Sequence, residues 1–102
     1  MAGKYKVITL CGSTMFKDDF LRQQKRLTLE GNIVLSVGFF EITEDDKLDD
    51  DKLKLIKDIH MKKIDMADEI FVINKGGYIG QSTKSEIDYA LKNGKIVNYL
   101  EN

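Results

Sequence analysis

Apolar positions along the chain follow two spacings in turn. Short aliphatic and β-branched runs, "KYKVITLC" (4–11), "IVLSV" (33–37), "EIFVIN" (69–74) and "KIVNYL" (95–100), have strand character. Between them, apolar residues recur every three or four positions, the spacing of one helical face. Phe16, Phe20, Leu21 and Leu27 carry that spacing through 15–30, with Leu29 near its end. Leu53, Ile56, His60 and Ile64 carry it through 48–66, and Ile87, Ala90 and Leu91 through the last helical run. Gly31-Asn32 and Asn93-Gly94 follow the first and third runs, where a left-handed residue closes a helix. Residues 38–47, "GFFEITEDDK", turn polar and acidic after two aromatics and read as a loop.

Strand, helix, strand, helix, strand, helix, strand predicts an α/β fold. The expected architecture is a small flavodoxin-like or Rossmann-like three-layer domain, with a four-stranded, mostly parallel sheet and right-handed crossovers. The 102 residues make one domain over 1–102 with a thin core, which self-association would support. Ligands of such sheets bind beyond the carboxyl ends of the strands, where strand order reverses. The loops beginning at Cys11, Val37 and Asn74 are therefore expected to meet there.

Composition narrows the partners. Sixteen basic and 17 acidic residues leave a net charge of -1, which calls for neither polymeric nucleic acid nor an anionic membrane. Apolar runs of four to six residues fall short of the roughly 20 that span a bilayer. The amino-terminal residues lack the long apolar stretch of a leader. A single cysteine, Cys11, excludes an internal disulfide framework and a multi-cysteine metal site, and fits the reducing cytoplasm. Cys11 reads as a small buried hydrophobe at a strand end. His60 reads as a packed helix residue without a partner, and the aspartates at 45, 46, 49, 50 and 51 lack calcium-loop spacing. No metal and no cofactor are expected.

Two segments carry candidate chemistry. In "CGST", Gly12 permits a close backbone approach or a positive φ, and Ser13 or Thr14 can cap the following helix. Free N–H groups there suit a phosphate or carboxylate. The segment is neither a Walker sequence nor a dinucleotide fingerprint. In "GGYIGQSTKSEIDYALKNGK" (76–95), Thr83 and Glu86 have capping-box spacing, with Ser82 as an alternative cap. The same spacing puts Glu86 at the border of the apolar face, above the end of the third strand. A carboxylate there can also attack an acetal-like carbon through an oxocarbenium-like transition state. Ser82 and Ser85 offer donors to a phosphate or sugar, and Tyr78 can stack on a base or pack over the loop.

Taken in order, "ITLCGSTMF", "KIDMADEIFVIN" and "GQSTKSEIDYALKNGKIV" resemble the nucleoside 2-deoxyribosyltransferase superfamily, which includes the 5′-monophosphate N-glycosidases. The resemblance implies Glu86 as nucleophile on C1′ of a nucleoside or nucleoside 5′-monophosphate, with the base as leaving group. Gly12 and Ser13 then align with the residues that meet a 5′-phosphate, and Ser82 with a further phosphate or sugar contact. Asn74, Tyr78, Gly80 and Ser85 complete the expected substrate-binding set. A homodimer or larger homo-oligomer is implied as well. Two departures stand out. No Asp or Glu occurs from Asn74 to Ser85, where members commonly hold a second acid, and Thr9 stands near the position of an orienting tyrosine. Little chain follows the last strand to build an acceptor pocket, so hydrolysis is expected ahead of transfer. A non-catalytic nucleotide-binding or sensing module on the same fold is the alternative, followed by a structural or interaction protein.

Overall fold

A computed structural model describes residues 5–41 and 45–101. Four strands form one sheet: β1 (Val7–Gly12), β2 (Ile33–Leu35), β3 (Glu69–Ile73) and β4 (Ile96–Tyr99). Three helices connect them: α1 (Lys17–Leu29), α2 (Asp50–Met66) and α3 (Gln81–Lys92). The spatial order is β2-β1-β3-β4 and every pairing is parallel. The α/β expectation therefore holds, with a sheet that is wholly rather than mostly parallel. Order reverses between β1 and β3, whose register runs from Ile8↔Glu69 to Gly12↔Ile73.

The two-residue period of the strands divides the core. Ile8, Leu10, Phe71 and Ile73 face α1, where Phe20 and Leu27 are buried on them. Cys11, Ile70 and Val72 face the other way and pack with Ile64 of α2 and Ile87 and Ala90 of α3. Burial on both faces explains the continuous apolar runs of the two central strands.

The segment boundaries differ from the expected ones at several points. The first strand begins at Val7, and Lys4 and the loop residues 42–44 lie outside the described residues. The second strand stops at Leu35. Leu91, expected on the inner face of α3, is 58% exposed, and Leu21 and Leu29 of α1 also face outward. A run of three or four cannot tell the edge of a helical stripe from its centre.

Polar groups close the element ends. Asp49 caps α2 by accepting from the Lys52 N–H (2.9 Å), and the Ser13 hydroxyl accepts from the Met15 N–H (3.3 Å) at a short 3-10 turn, Thr14–Phe16. Asp68, just before β3, accepts from the Val7 N–H at 2.8 Å. Gly31 takes φ +98 just past Glu30, the C-cap of α1, as its position in the sequence leads one to expect.

Candidate functional site

The carboxyl ends of β1 and β2 open onto a cavity of about 360 Å³, within the range of small-molecule sites. Gly12 and Thr14 border it on the β1 side, and Val37 to Phe40 on the β2 side. One flank is α2, which presents Leu53, Ile56, Ile59, His60 and Lys63. Glu86 of α3 completes the wall.

Glu86 reaches this position differently from the capping-box expectation. The N-cap of α3 is Gly80, with no side-chain cap, and Thr83 is buried inside the helix. Glu86 is thus the sixth residue of α3 rather than its N3 residue. Ser82 does not cap either; its carbonyl accepts from the Ser85 hydroxyl at 2.9 Å. The capping signature failed because Gly80 supplies an extended N-cap one turn earlier than Thr83. Freed from capping, the Glu86 carboxylate is turned toward the sheet, with its side chain 17% exposed.

His60, expected to lack a partner, has two. Its Nε2 lies 3.5 Å from Glu86 Oε1 and 3.4 Å from Cys11 Sγ, and its side chain is 13% exposed. The three groups come from the end of β1, the middle of α2 and the second turn of α3. Sequence distance hid this: residues 11 and 60 are 49 positions apart. A histidine interrupting the apolar stripe of α2 was the available signal, because that stripe faces the open end of the sheet. Cys11 is fully buried, and burial, followed by the Glu86 carboxylate, pushes its thiol well above the ordinary cysteine value. Such a thiol is a poor free nucleophile.

Several polar contacts fix the floor. The Lys63 ammonium donates to the Ser36 carbonyl at 2.7 Å, and the buried Thr9 hydroxyl donates to the Lys63 carbonyl at 2.8 Å. These bonds tie α2 to the middle of β1 and to the chain just after β2. Thr9 thus holds the backbone of α2 and does not reach Glu86. Gly12, at φ +146, lets β1 approach β3 so closely that a Cβ there would lie 2.8 Å from the Ile73 carbonyl oxygen.

The rest of the expected substrate-binding set lies apart. Gly12 lines the cavity, but Ser13, Asn74, Tyr78, Gly80, Ser82 and Ser85 do not. The loop after β3 leans toward α1 instead. Tyr78 meets Phe16 edge-on with ring centroids 6.1 Å apart, and its hydroxyl covers Gly80. The Asn74 amide donates to the Glu101 carbonyl and accepts from the Glu101 N–H, both at 2.9 Å. The Glu101 carboxylate in turn accepts from the Gly76 N–H at 2.7 Å. Asn74 therefore joins the loop after β3 to the chain after β4.

Cavity walls that sequence reasoning missed are mostly apolar: Phe39, Leu48, Leu53, Ile56 and Ile59. Leu53 and Ile56 belong to the expected inner stripe of α2, but they border open space rather than core. Of the acidic loop, Asp45 and Asp46 are exposed and Asp49 is occupied as a helix cap. Among the described residues, Glu86 is the one carboxylate on the cavity wall. No helix among these residues is long and apolar enough to cross a membrane. A scan against protein-family models and a search of curated proteins found no match to the chain.

Proposed function

We propose that the protein cleaves the N-glycosidic bond of a nucleoside or nucleoside 5′-monophosphate, with Glu86 as nucleophile. One observation carries this reading: a half-buried carboxylate faces a small-molecule cavity at the carboxyl ends of the strands, beside an imidazole. A Glu86 oxygen attacks C1′, the C1′–N bond breaks, and a glycosyl ester forms. The departing base takes up a proton. His60 is the side chain beside Glu86 suited to supplying that proton and recovering one from water. Water then attacks C1′ and restores the carboxylate; a second base in place of water gives transfer. The apolar wall of Phe39, Leu53 and Ile56 offers the base a surface that excludes water. Gly12 is assigned to the 5′-phosphate together with Ser13, which lies off the wall itself but between two wall residues, Gly12 and Thr14; a homo-oligomer acting in the cytoplasm belongs to the same reading.

The test is release of free base from a broad panel of nucleosides and 5′-monophosphates, modified bases included, followed by chromatography. Glu86→Gln is expected to lower release about a thousandfold or more, as loss of a covalent nucleophile does, with an unchanged melting temperature. His60→Ala is expected to lower it by about 10²–10⁴-fold. Monophosphates are expected to bind more tightly than their nucleosides, and equal affinities would remove Gly12 and Ser13 from the phosphate site. That Glu86 is the one carboxylate on the cavity wall among the described residues favours one other reading, a non-catalytic nucleotide-binding or sensing module. Nucleotide binding without base release from any panel member would establish that reading instead.

A further inference from the structure

Three side chains with metal-binding chemistry meet at the back of the cavity. Cys11 Sγ, His60 Nε2 and a Glu86 carboxylate oxygen all lie within 4.8 Å of one another. The measured edges are 3.4 Å from sulfur to nitrogen and 3.5 Å from nitrogen to oxygen. A tetrahedral zinc ion with Zn–S of about 2.3 Å and Zn–N and Zn–O of about 2.0–2.1 Å sets those edges at about 3.6 and 3.3 Å. Two of the three edges thus already match those one ion requires, and the sulfur–oxygen edge lies within 4.8 Å.

Without an ion, the Glu86 carboxylate can accept from both the Cys11 thiol and the His60 N–H, and no hydrogen bond then joins sulfur to nitrogen. Nε2 offers one lone pair or one N–H, so it can bond fully to only one of its two neighbours. A cation on that lone pair serves sulfur, nitrogen and oxygen together. Thiolate, imidazole and carboxylate form a donor set that suits zinc rather than magnesium or calcium, which take oxygen ligands. The thiolate and carboxylate charges also balance the two positive charges of the ion. All three donors stand on regular elements, β1, α2 and α3, so little ordering is needed on binding.

We infer that Cys11, His60 and Glu86 form a binding site for one zinc ion, with its fourth position open to the cavity. Binding displaces the thiol proton to solvent as the sulfur–metal bond forms. Three protein ligands and one open position are the arrangement of a reactive rather than a purely structural zinc site. A bound ion occupies the Glu86 carboxylate and therefore blocks the nucleophilic role proposed above. Zinc is thus an inhibitor of that reaction, although binding itself does not depend on the reaction being right.

Cobalt(II) titrated into chelator-treated protein under a non-thiol reductant tests the site. The expected result is one equivalent bound, with visible bands of tetrahedral cobalt and a near-ultraviolet thiolate-to-cobalt charge-transfer band, all removed by one equivalent of zinc. Cys11→Ser is expected to remove the charge-transfer band. His60→Ala, at a less buried position, is expected to weaken cobalt binding at least tenfold and serves if Cys11→Ser does not fold, as judged by circular dichroism. Wild-type protein without the thiolate band, or His60→Ala binding cobalt as tightly as wild type, overturns the site. Cobalt bands on the titrated protein, with no base release from any substrate by the chelator-treated, metal-free protein, overturn the glycosidase reading and leave the metal site standing. Base release without cobalt bands does the reverse.

Discussion

Gly12 is fixed by its surroundings before any ligand is considered. Its φ of +146 lies where side chains are rarely tolerated, and a Cβ would press on the Ile73 carbonyl oxygen at 2.8 Å. Gly12→Ala is expected to lose about 1–3 kcal/mol through backbone strain alone, read as a lower denaturation midpoint. A loss of activity in that variant must therefore be corrected for folding before it says anything about phosphate binding. Glu86 shows the opposite case. Its helical register and its place at the border of the apolar face were legible from Ile87 and Ala90, but its cap assignment was not. Capping depends on where the backbone first turns helical, and Gly80, with no side chain of its own to announce a cap, makes that turn. His60 stood out in its stripe, but its partners were illegible for another reason: a histidine there has the same pattern whether it meets a leucine or a carboxylate.

Each loop around the sheet end is held by contacts between elements. Asn74 and Glu101 tie the turn after β3 to the chain after β4 through three hydrogen bonds. Asn74→Ala removes two of them at a buried position, and about 1–3 kcal/mol of stability is expected to go with them. Calorimetry should record a lower melting temperature while KM for any substrate identified stays as in the wild type. A raised KM at an unchanged melting temperature would return Asn74 to the substrate contacts. On the other face, Asp19 near the start of α1 bonds Arg22 at 2.9 Å and lies 3.4 Å from the Lys75 ammonium, in the turn after β3. The Arg22 hydrogen bond, with help from Lys75, holds the Asp19 carboxyl below the ordinary aspartate value. A lowered folded pKa stabilises the fold above the unfolded value of about 3.9, and that stability is lost as pH falls through the folded value. Acid titration of Asp19→Asn should accordingly give a shallower loss of stability below about pH 4, with the two proteins converging at the acid end. These contacts had no sequence signal, because each joins elements whose adjacency follows from the strand order.

At the level of the whole molecule, strand order accounts for most of what the sequence could and could not disclose. Alternating periodicities foretold strands, helices and a layered sheet, because each depends on residues within a few positions of one another. The order β2-β1-β3-β4 placed the cavity over β1 and β2 and turned the glycine-rich loop away from it, which no local pattern encodes. The central strands, covered on both faces, should keep their amide protons longest in hydrogen exchange. Ile8 to Cys11 and Ile70 to Val72 are expected to exchange only by global unfolding, ahead of β2 and β4 in protection; faster exchange there than at the edges would contradict the arrangement. The register of β1 against β3 also sets a kinetic condition. It joins residues as far apart as Ile8 and Glu69, so chain closure over more than half the molecule must precede it. Cys11, His60 and Glu86 converge only once that closure is complete. A fragment or a half-folded intermediate therefore has no assembled cluster, and any property that needs all three side chains should appear only once β1 and β3 have paired.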